Sequence, residues 1–426
     1  MRRPALSMPR FFYRLVRVLA LGLLVAGCSH VAPDNGSAKP INPPVVAAPP
    51  PAVPVPAPPV VQSSPPPPSA PVLTPSSSNR PATVAVLLPL SGPSAQLGAA
   101  LLNAAQLALF EMADNAFNLL PFDSKGTADG AVAAVQQALT QHADIIIGPV
   151  FSVETKAAAS LARQAGVAMV SFTADSTAAG NGVYALGFLP GPQALRVADY
   201  ARSQNRPRLG ILAPSNDYGR TVVDYLSNNA TQVGVTVATL QYYDANAADI
   251  SVVVKRLIKV DAHRPGDVGF DALIIPDEGQ RLRTVANSLA QMGIDPAHVK
   301  LLGTMLWEES RPGSEPGLVG GWYPAPPEST HSDFETRYTK AFGARPPRLA
   351  SLGYDATALA AVLARRSPRD FSASALTSPT GFAGIDGIFR LRSDGTAERG
   401  YAIREVQNAG ADKEIAPAPA SFQAAY

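Results

Sequence analysis

From Pro81 onward the chain alternates short, wholly apolar runs with longer stretches of helical periodicity. Thr83 to Leu90 (TVAVLLPL) is apolar at nearly every position, which predicts a strand buried on both faces rather than one with a wet side. Leu97, Ala100, Leu101, Ala104, Leu107 and Ala108 then recur at three- and four-residue spacing, the stripe of a helix packed on a core. Ser94 stands just ahead of that stripe and suits a helix cap. Further strands are predicted at 144–147, 167–171, 208–212, 235–240, 272–275 and 299–302, with helices near 128–141, 153–165, 192–204, 217–229, 247–259 and 278–292. Such alternation specifies an α/β fold with parallel sheets covered by helices. Roughly 330 residues of it exceed one ordinary doubly wound domain, so two sheets are expected.

Near the C-terminus the pattern changes. Asp394-Gly395 lies between Ile388-Phe389-Arg390-Leu391 and Tyr401-Ala402-Ile403, which predicts a hairpin joining those two runs. Residues 409–426 read as a flexible tail. No internal sequence repeat is visible.

The N-terminal part has a different texture. Of the 42 residues from Pro40 to Pro81, 17 are proline, a composition that removes backbone donors and favours extended polyproline II over a packed core. At roughly 3.1 Å per residue such a tether reaches on the order of 130 Å. Ahead of it, Arg2, Arg3, Arg10, Arg14 and Arg17 precede the apolar run Val18 to Gly27. That run has the length of a signal-peptide core and is too short to span a membrane. The formal charge of +2 rests on those five arginines, and the remaining chain lacks the basic excess that phosphate backbones demand, which excludes nucleic acid as a partner.

Cys28 is the sole cysteine, so no intramolecular disulfide forms. Leu24-Val25-Ala26-Gly27-Cys28 resembles a bacterial lipobox, and the resemblance implies cleavage before Cys28 and lipidation of it. Several acyl chains would make membrane attachment effectively permanent, at about 0.8 kcal/mol per buried methylene. Ser29, in place of the Asp that retains lipoproteins at the inner membrane, implies sorting to the periplasmic face of the outer membrane.

Catalytic and metal chemistry finds little support. There is no phosphate-binding glycine loop, no G-x-S-x-G and no H-E-x-x-H. His30, His142, His263, His298 and His331 are dispersed without ligand spacing. No catalytic residue, metal ligand or cofactor is assigned, and a non-enzymatic protein is expected. Binding has better candidates, because open α/β sheets hold ligands beyond the carboxyl ends of their strands, near helix N-termini. Four such turns stand out: Ser91-Gly92-Pro93-Ser94, Gly148-Pro149-Val150-Phe151-Ser152, Ser171-Phe172-Thr173-Ala174-Asp175 and Ser215-Asn216-Asp217-Tyr218. Their Ser, Thr and Asp side chains are more often plain helix caps than ligand contacts.

The segments VAVLLPLSGPSAQLG, IIIGPVFSVETKAAASLARQAGVAMVSF, LGILAPSNDYGR, DALIIPDEGQRL, PRLASLGYDATALAAVLA and FAGIDGIFRLRSDGTAERG resemble the LppC/YraM lipoproteins, also called LpoA-type penicillin-binding protein activators. The resemblance covers 82–408 and implies a type I periplasmic-binding-protein fold, two Rossmann-like lobes joined by three hinge crossings. The crossings are expected near Phe188 to Pro192, Trp322 to Pro326 and Phe389 to Leu391. The chain then divides into a signal peptide (1–27), a lipidated N-terminus and tether (28–81), the two-lobed domain and the tail. Lobe 1 would take about 82–190 and 324–389, and lobe 2 about 191–323 and 390–408.

The implied function is activation of a class A penicillin-binding protein in peptidoglycan synthesis, although the helical-repeat domain of the best-known relatives is replaced here by the tether. The alternative is a lipid-anchored periplasmic solute-binding protein for amino acids or similar ligands. Resemblance to type I amino-acid receptors puts Ser152, Thr173 and Tyr218 at positions contacting such a ligand, with Asp277 or Glu278 as counter-charge to its ammonium.

Overall fold

In the computed structural model, residues 80–112, 117–247, 249–258, 268–366, 368–408 and 411–422 are described. Cys28 and nearly all of the tether therefore lie outside the described residues. The first lobe opens with β1 (Ala82–Leu88), α1 (Ala95–Met112), β2 (Phe117–Asp123), α2 (Ala128–Thr140), β3 (Ile145–Ile147), α3 (Ser152–Gln164), β4 (Ala168–Ser171) and β5 (Val183–Ala185). These five strands form one parallel sheet in the order β2-β1-β3-β4-β5.

All seven residues of β1 are buried, and the pleat explains why: Val84, Val86 and Leu88 pack into one core while Ala85 and Leu87 pack into another on the opposite face. The strand therefore needs apolar residues on both sides, as its sequence supplies.

The second lobe follows with α4 (Pro190–Ser203), β6 (Arg208–Pro214), α5 (Asp217–Asn229), β7 (Thr236–Tyr243), α6 (Ser251–Leu257), β8 (Ala272–Ile274), α7 (Gly279–Gln291), β9 (Lys300–Leu302), α8 (Leu306–Ser310) and β10 (Trp322–Ala325). The chain returns to the first lobe for α9 (Glu328–Phe342), α10 (Ala350–Ala364), α11 (Ala373–Leu376), β11 (Phe389–Leu391) and β12 (Ala397–Arg399). It crosses a last time to add β13 (Ala402–Glu405) and β14 (Lys413–Ala416) to the second sheet.

That sheet runs β14-β13-β10-β9-β8-β6-β7. Read from β7, its parallel part repeats the order of the first sheet, with β6 and β8 taking the places of β1 and β3. The two lobes are thus copies in topology without any repeat in sequence. In each, strand order reverses beside the first strand, and the crevice beyond that point is where such sheets place ligands.

Two expectations are corrected. The third crossing is not at Phe389 to Leu391: those residues pair antiparallel with Ala397–Arg399, and the chain crosses at Gly400. The hairpin at Asp394-Gly395 therefore ends at Arg399, and Ala402–Glu405 instead pairs with β10. The turn signal was legible, but which later strand it served depended on a sheet elsewhere in the chain. Residues 409–426 are likewise not simply a tail, because β14 closes the edge of the second sheet.

Candidate functional site

The six binding candidates fall into separate groups, Ser152 and Thr173 meeting at Asp175, and Tyr218 lying near enough to Asp277 and Glu278 for their charges to add to burial in raising its pKa. Ser94 stands immediately ahead of α1, its carbonyl accepting the Gly98 amide at 3.0 Å, in a surface groove with Tyr338, Pro346 and Pro347. Ser152 begins α3 and donates its hydroxyl to Asp175 Oδ2 at 2.5 Å. Thr173 is buried, its Oγ1 accepting the Asp175 amide at 3.1 Å. These two residues meet, but around a carboxylate of the protein itself. Burial would raise the Asp175 pKa, yet the Lys156 ammonium at 2.7 Å and the Ser152 and Thr177 donors hold it well below the usual range. A ligand carboxylate placed there would face an existing anion.

The lobe 2 candidates are also engaged. Tyr218 donates to Thr304 Oγ1 at 2.9 Å, and burial drives its phenol pKa upward, keeping it neutral. Asp277 is 1 % exposed. It accepts bonds from Tyr243 OH at 2.5 Å and from Arg281 Nη2 at 2.7 Å, so its charge is already compensated. Glu278 is exposed and makes no capping bond at the start of α7; it lines a shallow recess with Arg281, Glu309 and Ser310.

Another crevice opens between the lobes. It encloses about 430 Å³ and includes none of the six candidates. One wall comes from Ala174, Ser176 and the β11–β12 hairpin of lobe 1; the other comes from α4 and α5 of lobe 2. The first and third crossings contribute Leu189 and Arg399. Helices α4 and α5 approach closely here because position 191 is glycine: a Cβ there would lie 2.4 Å from the Tyr225 ring.

The hairpin charges are mutually paired. Glu398 is 2.8 Å from Arg390 and 3.3 Å from Arg392, and Asp394 is 3.7 Å from Arg392. Arg196 on α4 differs. Its Nε donates to the Tyr401 carbonyl at 3.2 Å, and among the described residues no carboxylate forms an ion pair with it. Burial lowers its pKa, opposed by the charge of Asp199. Tyr225 is also kept neutral by burial. Neither residue was a candidate from sequence, since an arginine or tyrosine flanking the buried stripe of a helix reads as an ordinary surface side chain.

A buried ionic cluster fastens the third crossing. Arg399, 6 % exposed, donates to Asp355 Oδ2 at 3.3 Å and to the Leu186 carbonyl at 3.2 Å. Asp386, fully buried, accepts from Ser351 Oγ at 2.5 Å and pairs with His331 Nδ1 at 2.9 Å. Burial, together with the Asp386 charge, pushes the Asp355 pKa up against the pull of Arg399. Asp386 is held low instead, because Arg348 and His331 outweigh its burial.

The family described as periplasmic binding protein matches residues 81–411. A solved structure from Rhodospirillum rubrum superposes with a TM-score of 0.68 at 17% identity, covering 79% of this chain and 100% of that one. The branched-chain amino acid transporter substrate-binding protein of Streptococcus pneumoniae, in complex with isoleucine, superposes with a TM-score of 0.51 at 18% identity, covering 79% and 100%. At such identities these likenesses establish the fold alone. An uncharacterized protein of Rickettsia prowazekii is 19% identical over 214 residues, which is 50% of this chain and spans 57% of that relative's length.

Proposed function

The chain belongs to the periplasmic binding protein family, and on that premise we propose that it is a non-enzymatic, extracytoplasmic protein that binds a small ligand between its lobes. The carrying observation is the crevice of about 430 Å³ walled by both lobes and two crossings, within the size range of small-molecule sites. A ligand seated there touches both lobes at once and stabilises the closed arrangement. Isoleucine is the ligand of the Streptococcus relative, so amino acids are the first class to try.

The test is a thermal-shift and calorimetric screen of the full chain, stripped of co-purified ligand, against amino acids and small organic acids and amides. Binding should stabilise by about 2.7 kcal/mol at a hundredfold excess over Kd. No shift with any compound would remove the proposal.

A second reading has its own support. Ser152, Tyr218 and Asp277 bond within the protein, as suits a cleft that no longer receives an amino acid. Together with the lipobox, the tether and the LppC/YraM resemblance, this favours an outer-membrane activator of a class A penicillin-binding protein. Purified class A synthase should then bind the full chain and polymerise faster in its presence; an unchanged rate would exclude this role.

A further inference from the structure

We infer that Arg196 anchors the carboxylate of a small organic acid whose apolar body lies along Leu189, Leu195, Tyr225 and Val233. This rests on reading the interlobe crevice as the ligand site, and adds the ligand's chemical class and the residue that selects it.

The charges around the crevice lead to this assignment. Arg390 and Arg392 are matched to Glu398 and Asp394 on the hairpin. Arg399 is matched to Asp355, and Asp199 lies 3.4 Å from Arg202. Arg196 alone lines the crevice without a carboxylate at ion-pair distance among the described residues. Only its Nε is spent, on the Tyr401 carbonyl, which leaves the two terminal nitrogens for another acceptor. A guanidinium fork matches a carboxylate through two parallel hydrogen bonds.

Much of the remaining wall is apolar: Leu189, Pro190, Leu195 and Val233 on lobe 2 and Ala174 and Ala397 on lobe 1. The Tyr225 hydroxyl has no hydrogen-bond partner among the described residues and can serve a second polar atom. An acid with a branched or aromatic body therefore satisfies the one unmatched charge and covers the apolar wall. Because the Arg196 bond to Tyr401 ties α4 to the third crossing, occupancy would also be felt at the hinge.

The experiment measures affinity of the full chain, by calorimetry, for benzoate, 3-methylbutanoate and isoleucine, and for benzamide and 3-methylbutanamide as neutral counterparts. At least one acid should bind, at least tenfold tighter than its amide. Arg196→Gln should weaken the acid tenfold or more and the amide by a much smaller factor. Arg196→Lys keeps a charge and loses the fork, so it should bind the acid several-fold less well; it also serves if the Gln variant fails to fold. Thr221→Trp, at an exposed position of the crevice wall, should block acid and amide alike. If Thr221→Trp blocks binding but acid and amide bind equally, or Arg196→Gln and Arg196→Lys bind the acid like wild type, the carboxylate assignment is overturned and the crevice remains the ligand site. If ligands bind and Thr221→Trp has no effect, the crevice is not the site. If no compound binds, the ligand-binding reading falls with it.

Discussion

Arg348 of lobe 1 reaches Glu308 of lobe 2, Nη2 to Oε2 at 3.9 Å, while its Nη1 lies 3.7 Å from Asp386 in its own lobe. Glu308 is held from the other side by Arg404 at 2.8 Å, and the Arg348 guanidinium lies over the ring of Phe188 at the first crossing. One side chain therefore touches both lobes and a hinge. Glu308→Gln should cost about 1–3 kcal/mol of stability, because two partly buried guanidinium groups lose their shared charge. It should also accelerate amide hydrogen exchange at the crossings. Denaturant titration and exchange mass spectrometry read the two effects, and unchanged exchange there would show that the contact does not restrain the lobes.

Arg399→Met tests the buried cluster. It leaves Asp355 buried opposite Asp386 without its cation, a loss of about 3–5 kcal/mol. A fall below about 1 kcal/mol, read as a change in urea midpoint, would mean that Asp355 is already neutral.

The two cluster carboxylates give opposite pH dependences. Asp355 has a raised folded pKa, so the native state binds its proton more tightly than the unfolded chain; that contribution is full below the unfolded pKa and is lost as pH rises through the folded one. Asp386, held low, contributes above its unfolded pKa and loses that as pH falls through its folded one. Asp355→Asn should therefore remove a loss of stability on the neutral side of the ordinary carboxyl range, making Tm at about pH 8 less depressed relative to about pH 5. An identical pH profile in wild type and variant would contradict this.

Ser152→Ala separates the amino-acid-receptor pattern from the observed geometry. Its hydroxyl serves Asp175, so the variant should lose about 1 kcal/mol of stability and keep its ligand affinity. A tenfold loss of affinity would return Ser152 to the binding site.

Cys28→Ala tests the anchor. The lipobox reading expects the folded protein to leave the membrane fraction, and no helix among the described residues is long and apolar enough to cross a membrane. Retention of the variant in that fraction would refute lipidation at Cys28.

The strands and helices were largely legible because their signals are local. β1 carries its double burial in consecutive residues, and the stripe from Leu97 to Ala108 is read within one helix. The expectation of two parallel sheets followed from counting such elements, and the fold agrees with the family match. Ser152, Thr173 and Tyr218 were singled out by likeness to receptors, and only the tertiary structure shows the hydrogen bonds that join them to Asp175 and Thr304.

What the sequence by itself determined is the element types, their alternation and hence the fold class. The tertiary structure alone decided where the chain crosses between lobes, which acids and bases neutralise one another, and which cation is left over. Arg196 bonds to Tyr401 across 205 positions and Arg399 to Leu186 across 213. Periodicity reports which face of an element is apolar, whereas pairing of charges depends on which distant segments the packed sheets bring within about 4 Å, the range at which such pairs form.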